Sequence, residues 1–481
     1  MIRVRFAPSP TGNLHIGTLR AALFNWVYAK TNKGTFVLRI EDTDRERSKS
    51  EFETNIYDGM NWLGFVPDEG PNEGGNYGPY RQAERIDAGI YKAAAQQLLD
   101  KGLAYYCFLT PEEIEQEKAS AIKKGIPYMH SRQSSEMTSE AIKSALEEGK
   151  PYAVRFKMTD ERVITFSDQV RGHIDFDCSL LSDFVLMKSD GTPSYNFAVV
   201  VDDAAMQITH VIRGEDHISN MPRQLALYEA FGYKIPEFAH LPMILGPDKS
   251  KLSKRHGATA VTQYRDRGFL KEAFFNYLAL LGWSPKDETE LLSSAEIVNQ
   301  FGLERVHKSG AVFDIQKLLW MNGQYLRQLS VSQLCEAMKS FFSDIFKEAF
   351  EALDDDKQQL LVGAIQDNLD VLADANDYCD VFLETDSEFE TALASCEFNH
   401  DQQNVLRACV DALNEPTVDD SSQGYTALLE SLCTSLNLGK GKVFKPVRLA
   451  VTARGSGPLI TDVLAFFGKE RLLERLKRTV G

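Results

Sequence analysis

Apolar and polar positions in the first forty residues predict one strand–helix–strand unit. Residues 2–6 alternate apolar side chains with arginines, the period of a half-buried strand, and the proline-rich run APSPTGN then ends it. From Ile16 onward apolar residues recur every three or four positions, as on one face of a helix. A short apolar run over residues 35–40 predicts a second strand, which leads into two acidic residues.

A second unit of this kind appears much later in the chain. The segment QITHVIRGED predicts a strand that ends in charged residues, and apolar residues at helical spacing follow from Ile218 to Tyr228. Another strand-like run covers His240 to Leu245. Two strand–helix–strand halves predict a doubly wound, Rossmann-type parallel sheet, in which ligands bind beyond the carboxyl ends of the strands.

The remaining segments predict a multidomain protein that is α/β in its first part and all-α in its second. Residues 79–194 mix helical and strand-like pieces and are expected to form an α/β insertion between the two halves, 1–78 and 195–245. After Gly268 the pattern is helical to the end. We expect one further domain over 246–325 and a helical domain over 326–481.

Composition indicates a folded globular protein, with 43% hydrophobic and 25% charged residues in 481. No apolar run approaches the ~20 residues that a membrane span needs. The start MIRVRFAPSP lacks the apolar stretch of a secretory signal, so we expect a cytoplasmic protein without membrane contact. Seven scattered cysteines, without a CxC or CxxC pair, argue against a disulfide framework and predict no structural zinc.

Charge is distributed unevenly along the chain. Residues 331–439 hold 4 basic and 23 acidic side chains, whereas residues 440–481 hold 10 basic and 3 acidic ones. The basic end is either a solvated helix face or a surface for RNA phosphates. In the second case the acidic region is expected to be a solvent-facing surface that repels the wrong RNA.

Two segments carry candidate phosphate chemistry. In RFAPSPTGNLHIGT a stiff loop leads to a helix start, where unpaired N–H groups and the helix dipole favour phosphate. There Gly17 allows close approach of a ligand, and His15 can donate to phosphate oxygens. In PDKSKLSKR, Lys251 and Lys254 can meet a polyphosphate as point charges. Taken separately, a capping histidine and a solvated lysine loop are the simpler interpretations.

Taken together, the two segments resemble the paired HIGH and KMSKS signatures of class I aminoacyl-tRNA synthetases. The further words FVLRIEDTD, GPYRQAER, LMKSDGTPSYNFAVVVDD and VIRGEDH occur in an order that resembles bacterial-type glutamyl-tRNA synthetases. The resemblance covers at least residues 3–325, and it implies a catalytic domain, an acceptor-binding insertion (79–194), a stem-contact domain (246–325) and a helical anticodon-binding domain (326–481).

The resemblance also implies the site residues. Two arginines and one acid match the two carboxylates and the ammonium of glutamate. The implied glutamate-binding residues are Arg5, Ala7, Ser9, Glu41, Tyr195 and Arg213. The implied ATP-binding residues are Ser9, Gly17, Asp216, Lys251, Leu252, Ser253, Lys254 and Arg255, and the implied catalytic residues are His15, Lys251 and Lys254. For Glu41 the alternative is a salt bridge within EDTDRER.

The implied reaction is ATP-dependent attachment of L-glutamate to the 3′-terminal ribose of tRNA through a glutamyl-adenylate, with Mg²⁺ carried on ATP and no protein metal ligand. The implied partners are ATP, L-glutamate and tRNA, and the implied state is a monomer. No arginine lies between Arg327 and Arg407, which suggests an enzyme that also charges glutamine tRNA. Three alternatives remain: glutaminyl-tRNA synthetase, a truncated relative that glutamylates a tRNA nucleoside, and an inactive RNA-binding scaffold.

Overall fold

The computed structural model describes residues 1–126, 128–158, 163–258, 260–416 and 418–480, with the backbone alone for Leu180 and Lys254. The chain divides into two compact units. We call residues 1–263 with 274–314 the sheet unit, and residues 264–273 with 315–481 the helical unit. The α/β and all-α halves expected from the sequence are confirmed by this fold.

The first half of the sheet unit is the strand–helix–strand unit that the pattern predicts. β1 (Arg3–Phe6) pairs in parallel with β2 (Thr35–Leu38), and α1 (Ile16–Thr31) connects them. Both strands bury three of their four residues, and α1 packs its apolar side chains against them. α2 (Ser50–Trp62) follows this first half.

The described residues of the segment between the two halves form four α-helices and five strands. The helices are α3 (Gln82–Asp87), α4 (Ile90–Asp100), α5 (Pro111–Lys124) and α6 (Ser139–Glu147). The strands are β3 (Ala104–Cys107), β4 (Ala153–Phe156), β5 (Val163–Asp168), β6 (Gly172–Asp177) and β7 (Phe184–Met187). β3, β4 and β7 form an antiparallel sheet. The helical run after Arg85 is broken at Gly89, whose φ of 71° ends α3 and precedes α4.

The second half of the sheet unit is a parallel pair joined by a helix. Its elements are α7 (Tyr195–Ala205), β8 (His210–Gly214), α8 (Met221–Phe231), β9 (Glu237–Leu241) and β10 (Ile244–Leu245). They are followed by α9 (Val261–Asp266), α10 (Lys271–Leu280), α11 (Ser294–Gln300) and β11 (Ala311–Val312). β8 and β9 run parallel, and the β5–β6 hairpin extends their sheet in the order β6-β5-β9-β8. The insertion therefore supplies an edge of the second half's sheet.

The helical unit is built from ten α-helices in the part of the chain that the structure describes. They are α12 (Ile315–Gln328), α13 (Val331–Met338), α14 (Asp344–Glu351), α15 (Asp355–Ile365), α16 (Ala375–Leu383), α17 (Asp386–Leu393), α18 (His400–Asn414), α19 (Ser422–Ser435), α20 (Lys440–Thr452) and α21 (Ile460–Val480). Ser330, Thr385 and Asn399 start their helices with capping boxes. Among the described residues, one apolar core joins all of these helices except α17.

Candidate active site

A cavity of about 370 Å³ lies at the carboxyl ends of β1 and β8, beside the N-terminus of α1. This is the place where a doubly wound sheet binds ligands. Ten residues singled out in the sequence line it together: Arg5, Ala7, His15, Gly17, Glu41, Tyr195, Arg213, Asp216, Lys251 and Leu252. Segments far apart in the chain thus meet at one site.

Arg5 and Arg213, two of the buried arginines in the wall of this cavity, contribute to its positive charge. Arg5 donates from Nε to Asp203 Oδ1 at 3.3 Å, while Arg213 donates from Nε to His240 Nε2 at 3.1 Å and from Nη2 to Gln224 Oε1 at 2.8 Å. Among the residues described, Arg5 Nη2 and Arg213 Nη1 have no protein partner. Each guanidinium is therefore fixed by the protein and keeps N–H groups for a guest.

Arg39 is the centre of an ionic network beneath the cavity that the sequence analysis missed. Its side chain is fully buried, and Nη1 lies 2.7 Å from Asp203, Nη2 3.1 Å from Glu41, and Nε 3.7 Å from Asp202. Burial alone lowers the pKa of Arg39, but the three carboxylates raise it well above its ordinary value. A charged residue within the apolar run FVLRI was the available signal.

Glu41 supplies the negative charge of the cavity. Burial raises its pKa, while Arg39 and Arg5 oppose that shift. A salt bridge was the alternative interpretation of Glu41, and it does form one, although with Arg39 and not within the EDTDRER segment. Glu41 therefore pairs with Arg39 and at the same time lines the cavity, where its carboxylate can meet a ligand.

Tyr195 and His217 form a second pair at the cavity wall. The Tyr195 hydroxyl lies 3.0 Å from His217 Nδ1, and the ring centroids are 5.5 Å apart. Burial and the nearby Arg213 lower the pKa of His217 to about 4, so this ring is neutral at pH 7. The sequence analysis did not select His217, although it follows the acids of VIRGED directly.

The start of α1 holds the candidate phosphate site. His15 caps the helix, because its Nδ1 accepts from the Gly17 N–H at 3.1 Å. Burial and Lys251 lower the pKa of His15. The neutral ring then carries its proton on Nε2, which remains a donor. The capping interpretation is thus confirmed, and the same residue also lines the cavity.

The lysine loop (residues 247–255) reaches the cavity with two residues from its middle. Lys251 and Leu252 line it, and Lys251 Nζ lies 3.9 Å from Asp216 Oδ2. Arg255 is engaged elsewhere, since its Nη2 donates to Asp248 Oδ2 at 3.2 Å and to the Ser250 hydroxyl at 2.6 Å. The loop is therefore held by its own contacts beside the cavity.

Three predicted site residues with described side chains lie outside the cavity wall. Ser9 is exposed, and Ser253 donates its N–H to His256 Nδ1 at 3.1 Å. Neither of them, nor Arg255, lines the cavity. The side chain of Lys254 lies outside the described part of the structure, so its predicted role stays a prediction.

A buried cysteine–histidine contact lies in the insertion, at a place where the sequence suggested an isolated cysteine. Cys107 Sγ lies 3.4 Å from His130 Nε2, and Tyr128 and Glu117 flank the other ring nitrogen at 3.0 and 3.6 Å. Cys107 and His130 are 23 positions apart in the sequence, so no local spacing indicated this contact. Within the ranges described, no three His, Cys, Asp or Glu side chains are grouped to hold a metal ion.

The basic C-terminal stretch is largely engaged with the acidic region that precedes it. Ion pairs join residues of α20, α21 and the connecting loop to carboxylates between positions 380 and 430. The pairs are Lys440–Glu430, Arg454–Asp380, Arg471–Asp386, Arg475–Glu384 and Arg478–Glu390. Five acids of this region are therefore paired with basic residues, while the role expected of the acidic region as a surface that repels the wrong RNA stays a prediction.

No helix among the described residues combines the length and the apolar content that crossing a bilayer demands.

Comparisons with known proteins identify the class of the chain. The family model described as tRNA synthetases class I (E and Q), catalytic domain, matches residues 1–320, and the anticodon binding domain model matches residues 333–480. These matches define the class as the class I tRNA synthetases.

Full-length relatives narrow the class. A glutamate–tRNA ligase of Carboxydothermus hydrogenoformans is 43% identical over 99% of both chains, and glutamate–tRNA ligase 2 of Caldanaerobacter subterraneus subsp. tengcongensis is 42% identical over 100% of this chain and 99% of that one. The crystal structure of a glutamate tRNA ligase from Elizabethkingia meningosepticum in complex with its amino acid has a TM-score of 0.89 at 36% identity, covering 100% and 99% of the two chains. The chain belongs to the glutamate–tRNA ligase family, whose members are enzymes.

Proposed function

We propose that the protein attaches L-glutamate to the 3′-terminal ribose of tRNA through a glutamyl-adenylate intermediate. The observation that carries this proposal is the cavity in which Arg5 and Arg213 keep free N–H donors while Glu41 offers a carboxylate. Glutamate carries two carboxylates and one ammonium group. Guanidinium forks suit the former and an acid suits the latter, so the cavity and the substrate are complementary in charge.

The proposed glutamate-binding set includes neighbours that shape the cavity. Tyr195 adds a hydroxyl to the cavity wall. Burial and Glu41 raise the pKa of this hydroxyl, whereas Arg213 and Arg5 lower it, so all three charged groups act on it. The remaining members of the proposed set are Ala7, which lines the cavity, and Ser9, which lies just outside it.

ATP is proposed to bind between the start of α1 and the lysine loop. The α-carboxylate of glutamate attacks the α-phosphorus in line and pyrophosphate leaves, so this step needs positioning and positive charge but no general base. His15 donates from Nε2, and Lys251 and Lys254 supply positive charge near the phosphates. Mg²⁺ is proposed to bind through ATP oxygens and water. The other proposed ATP-binding residues are Ser9, Gly17, Asp216, Leu252, Ser253 and Arg255.

The tRNA is proposed to contact three further regions. The insertion (79–194) would hold the acceptor end, residues 246–325 the stem, and the helical domain (326–481) the anticodon, in keeping with the anticodon-domain match over 333–480. A ribose hydroxyl, the 2′ position in this class, then takes the glutamyl group and AMP leaves. The monomeric state and the cytoplasmic location stay predictions from the sequence.

We further propose that glutamine tRNA is charged as well. The support is the absence of arginine between Arg327 and Arg407 in the sequence of the helical unit. Arginine is suited to bidentate readout of bases and phosphates, so a stretch without it has fewer means to reject a related tRNA.

The test is tRNA charging with labelled glutamate, with matched glutamate and glutamine tRNA transcripts. Lys254→Ala and Lys251→Ala are the site variants, and Lys249→Ala, an exposed lysine outside the cavity wall, is the matched control. We expect both site variants to lose 10²-fold or more in rate and the control to keep it.

Each outcome decides one statement. If folded wild-type protein charges neither tRNA, the enzymatic proposal fails and the RNA-binding scaffold takes its place. If it charges glutamate tRNA alone, the proposal of dual charging is wrong while the main function stands.

A further inference from the structure

Asp168, His240 and Arg213 form a buried row of hydrogen-bonded side chains that ends at the cavity wall. Asp168, at the end of β5, lies 2.6 Å from Nδ1 of His240 on β9, and His240 Nε2 accepts from Nε of Arg213 on β8 at 3.1 Å. The side chains of Asp168 and His240 are fully buried. The row runs sideways through the sheet in the order β5, β9, β8.

The hydrogen bonds assign the proton on His240. A guanidinium only donates, so Nε2 facing Arg213 must carry the lone pair, and the proton must lie on Nδ1, where Asp168 accepts it. Burial and the charges of Arg213 and Arg5 lower the pKa of His240, although Asp168 opposes the shift. The ring is therefore a neutral acceptor of fixed tautomer.

Asp168 is itself held in place by the backbone. Its Oδ1 accepts from the N–H groups of Val170 and Arg171 at 2.9 and 2.8 Å, and its Oδ2 accepts from the His240 N–H at 3.1 Å. Although burial raises its pKa, these bonds and His240 keep the pKa of Asp168 below its ordinary value. The anchor is therefore an ionised carboxylate whose position follows from β5 and β9.

We propose that His240, held by Asp168, is a positioning residue that fixes the guanidinium plane of Arg213 for the amino-acid substrate. The proposal rests on the proposed glutamate specificity of the cavity. Nε of Arg213 is fixed by His240 and Nη2 by Gln224, which leaves Nη1 as the donor for a substrate carboxylate. A guanidinium that is held at two nitrogens presents its third nitrogen in one orientation. Correct orientation of a substrate group can raise the rate of a reaction by a large factor.

The test uses two substitutions that each keep one half of the ring's hydrogen bonding. His240→Asn keeps a donor near the Nδ1 position and loses the acceptor for Arg213. His240→Gln keeps an acceptor near the Nε2 position and loses the donor to Asp168. His210→Asn, a buried histidine of β8 outside the cavity wall, is the matched control.

Charging assays give KM for glutamate, KM for ATP and kcat for each variant. We expect His240→Asn to raise the glutamate KM about tenfold or more, His240→Gln to raise it less, and His210→Asn to leave it unchanged. The KM for ATP should stay within about twofold in all three variants. The hydrogen bonds of Asp168 and His240 lead to Arg213, and not to the start of α1 or to the lysine loop, where ATP is proposed to bind.

A third variant covers the case in which the ring substitutions do not fold. Asp168→Asn can donate to Nδ1, which would turn Nε2–H toward Arg213 and replace an acceptor by a donor. The glutamate KM should then rise as much as in His240→Asn.

Two results would overturn the positioning role while the proposed function stands. In the first, the wild-type protein charges tRNA with glutamate, and His240→Asn and His240→Gln raise the glutamate KM by the same factor. The other is a set of variants that lower kcat alone. A wild-type protein that forms no glutamyl-tRNA would instead overturn the function itself.

Discussion

Each of the two units contains an arginine that is almost completely buried, and the two arginines are stabilised in different ways. Arg39 in the sheet unit contacts three carboxylates, at 2.7, 3.1 and 3.7 Å. Arg475 in the helical unit pairs with Glu384 at 3.1 Å and lies over the rings of Phe389 and Phe467, at 3.8 and 4.3 Å. The pKa of Arg39 is raised by its acids, whereas burial and Arg471 lower the pKa of Arg475.

The two arginines differ because Arg39 belongs to a polar site, whereas Arg475 belongs to a packed core. Of the three acids around Arg39, Asp203 also accepts from Arg5 and Glu41 lines the cavity, so the network fixes the positions of two groups at the site. The rings around Arg475 belong to the apolar core and its surroundings, and cation–π contacts are added to ordinary packing there. We therefore expect loss of Arg39 to affect function as well as stability, and loss of Arg475 to affect stability first.

The largest expected effect comes from Arg39→Gln compared with Arg475→Gln. Removing the Arg39 charge leaves three buried carboxylates short of a partner, which costs about 3–5 kcal/mol of unfolding free energy. It should also raise the glutamate KM, since Glu41 and Asp203 lose their common partner. Arg475→Gln should lower stability by about 2–4 kcal/mol at unchanged glutamate KM. Urea unfolding and charging kinetics measure both.

Arg39→Lys is the control for that comparison, because it keeps the charge and removes the planar fork. It should regain part of the stability but little of the glutamate KM. Equal glutamate KM values in Arg39→Gln and the wild type would contradict the link between network and cavity.

An effect of intermediate size is expected when the pH is lowered, and it should destabilise the sheet unit. Eight of the nine histidines lie there, and the folded-state pKa of His217 is about 4 against an ordinary 6.5. Between these values the unfolded chain binds the proton and the folded chain does not, so stability falls as pH drops from about 6.5 toward 4. The slope is at most about 1.4 kcal/mol per pH unit for this proton.

His217→Gln should make that slope shallower in urea titrations at each pH. Hydrogen exchange locates the loss, which should appear in peptides from residues 195–245 before those from 400–480. An unchanged slope in the variant would show that other groups carry the acid sensitivity.

The smallest effect is expected from a single surface pair of the helical unit. Arg471 pairs with Asp386 at 3.1 Å, and both side chains are partly exposed. Arg471→Ala should cost below about 1 kcal/mol, and salt should reduce even that difference. Thermal unfolding at low and high ionic strength measures it, and a loss as large as that of Arg475→Gln would remove the distinction between the buried and surface arginines.

Sequence patterns predicted most of the elements, because those depend on local spacing. The place of His15 at a helix start followed from the same patterns, whereas Arg5 and Glu41 were implied by the resemblance to glutamyl-tRNA synthetases. Partners across the fold were beyond the same reasoning. Arg39 and Asp203 are 164 positions apart, and Asp168 and His240 are 72 apart. Such pairs are set by which strands become neighbours, and no local period encodes that.

The ion pairs between the acidic and basic regions of the helical unit affect how this unit can bind a polyanion. RNA binding gains much of its free energy from the ions that phosphates release when lysines and arginines neutralise them. Basic residues that are already neutralised by their own acids release few ions. Within the described chain, Lys442, Lys445 and Lys477 are the basic residues of this stretch with neither an ion pair nor a hydrogen bond of the side chain. We therefore expect an RNA that contacts this stretch to release fewer ions than its ten basic residues alone would predict, because five of them are already paired with acids.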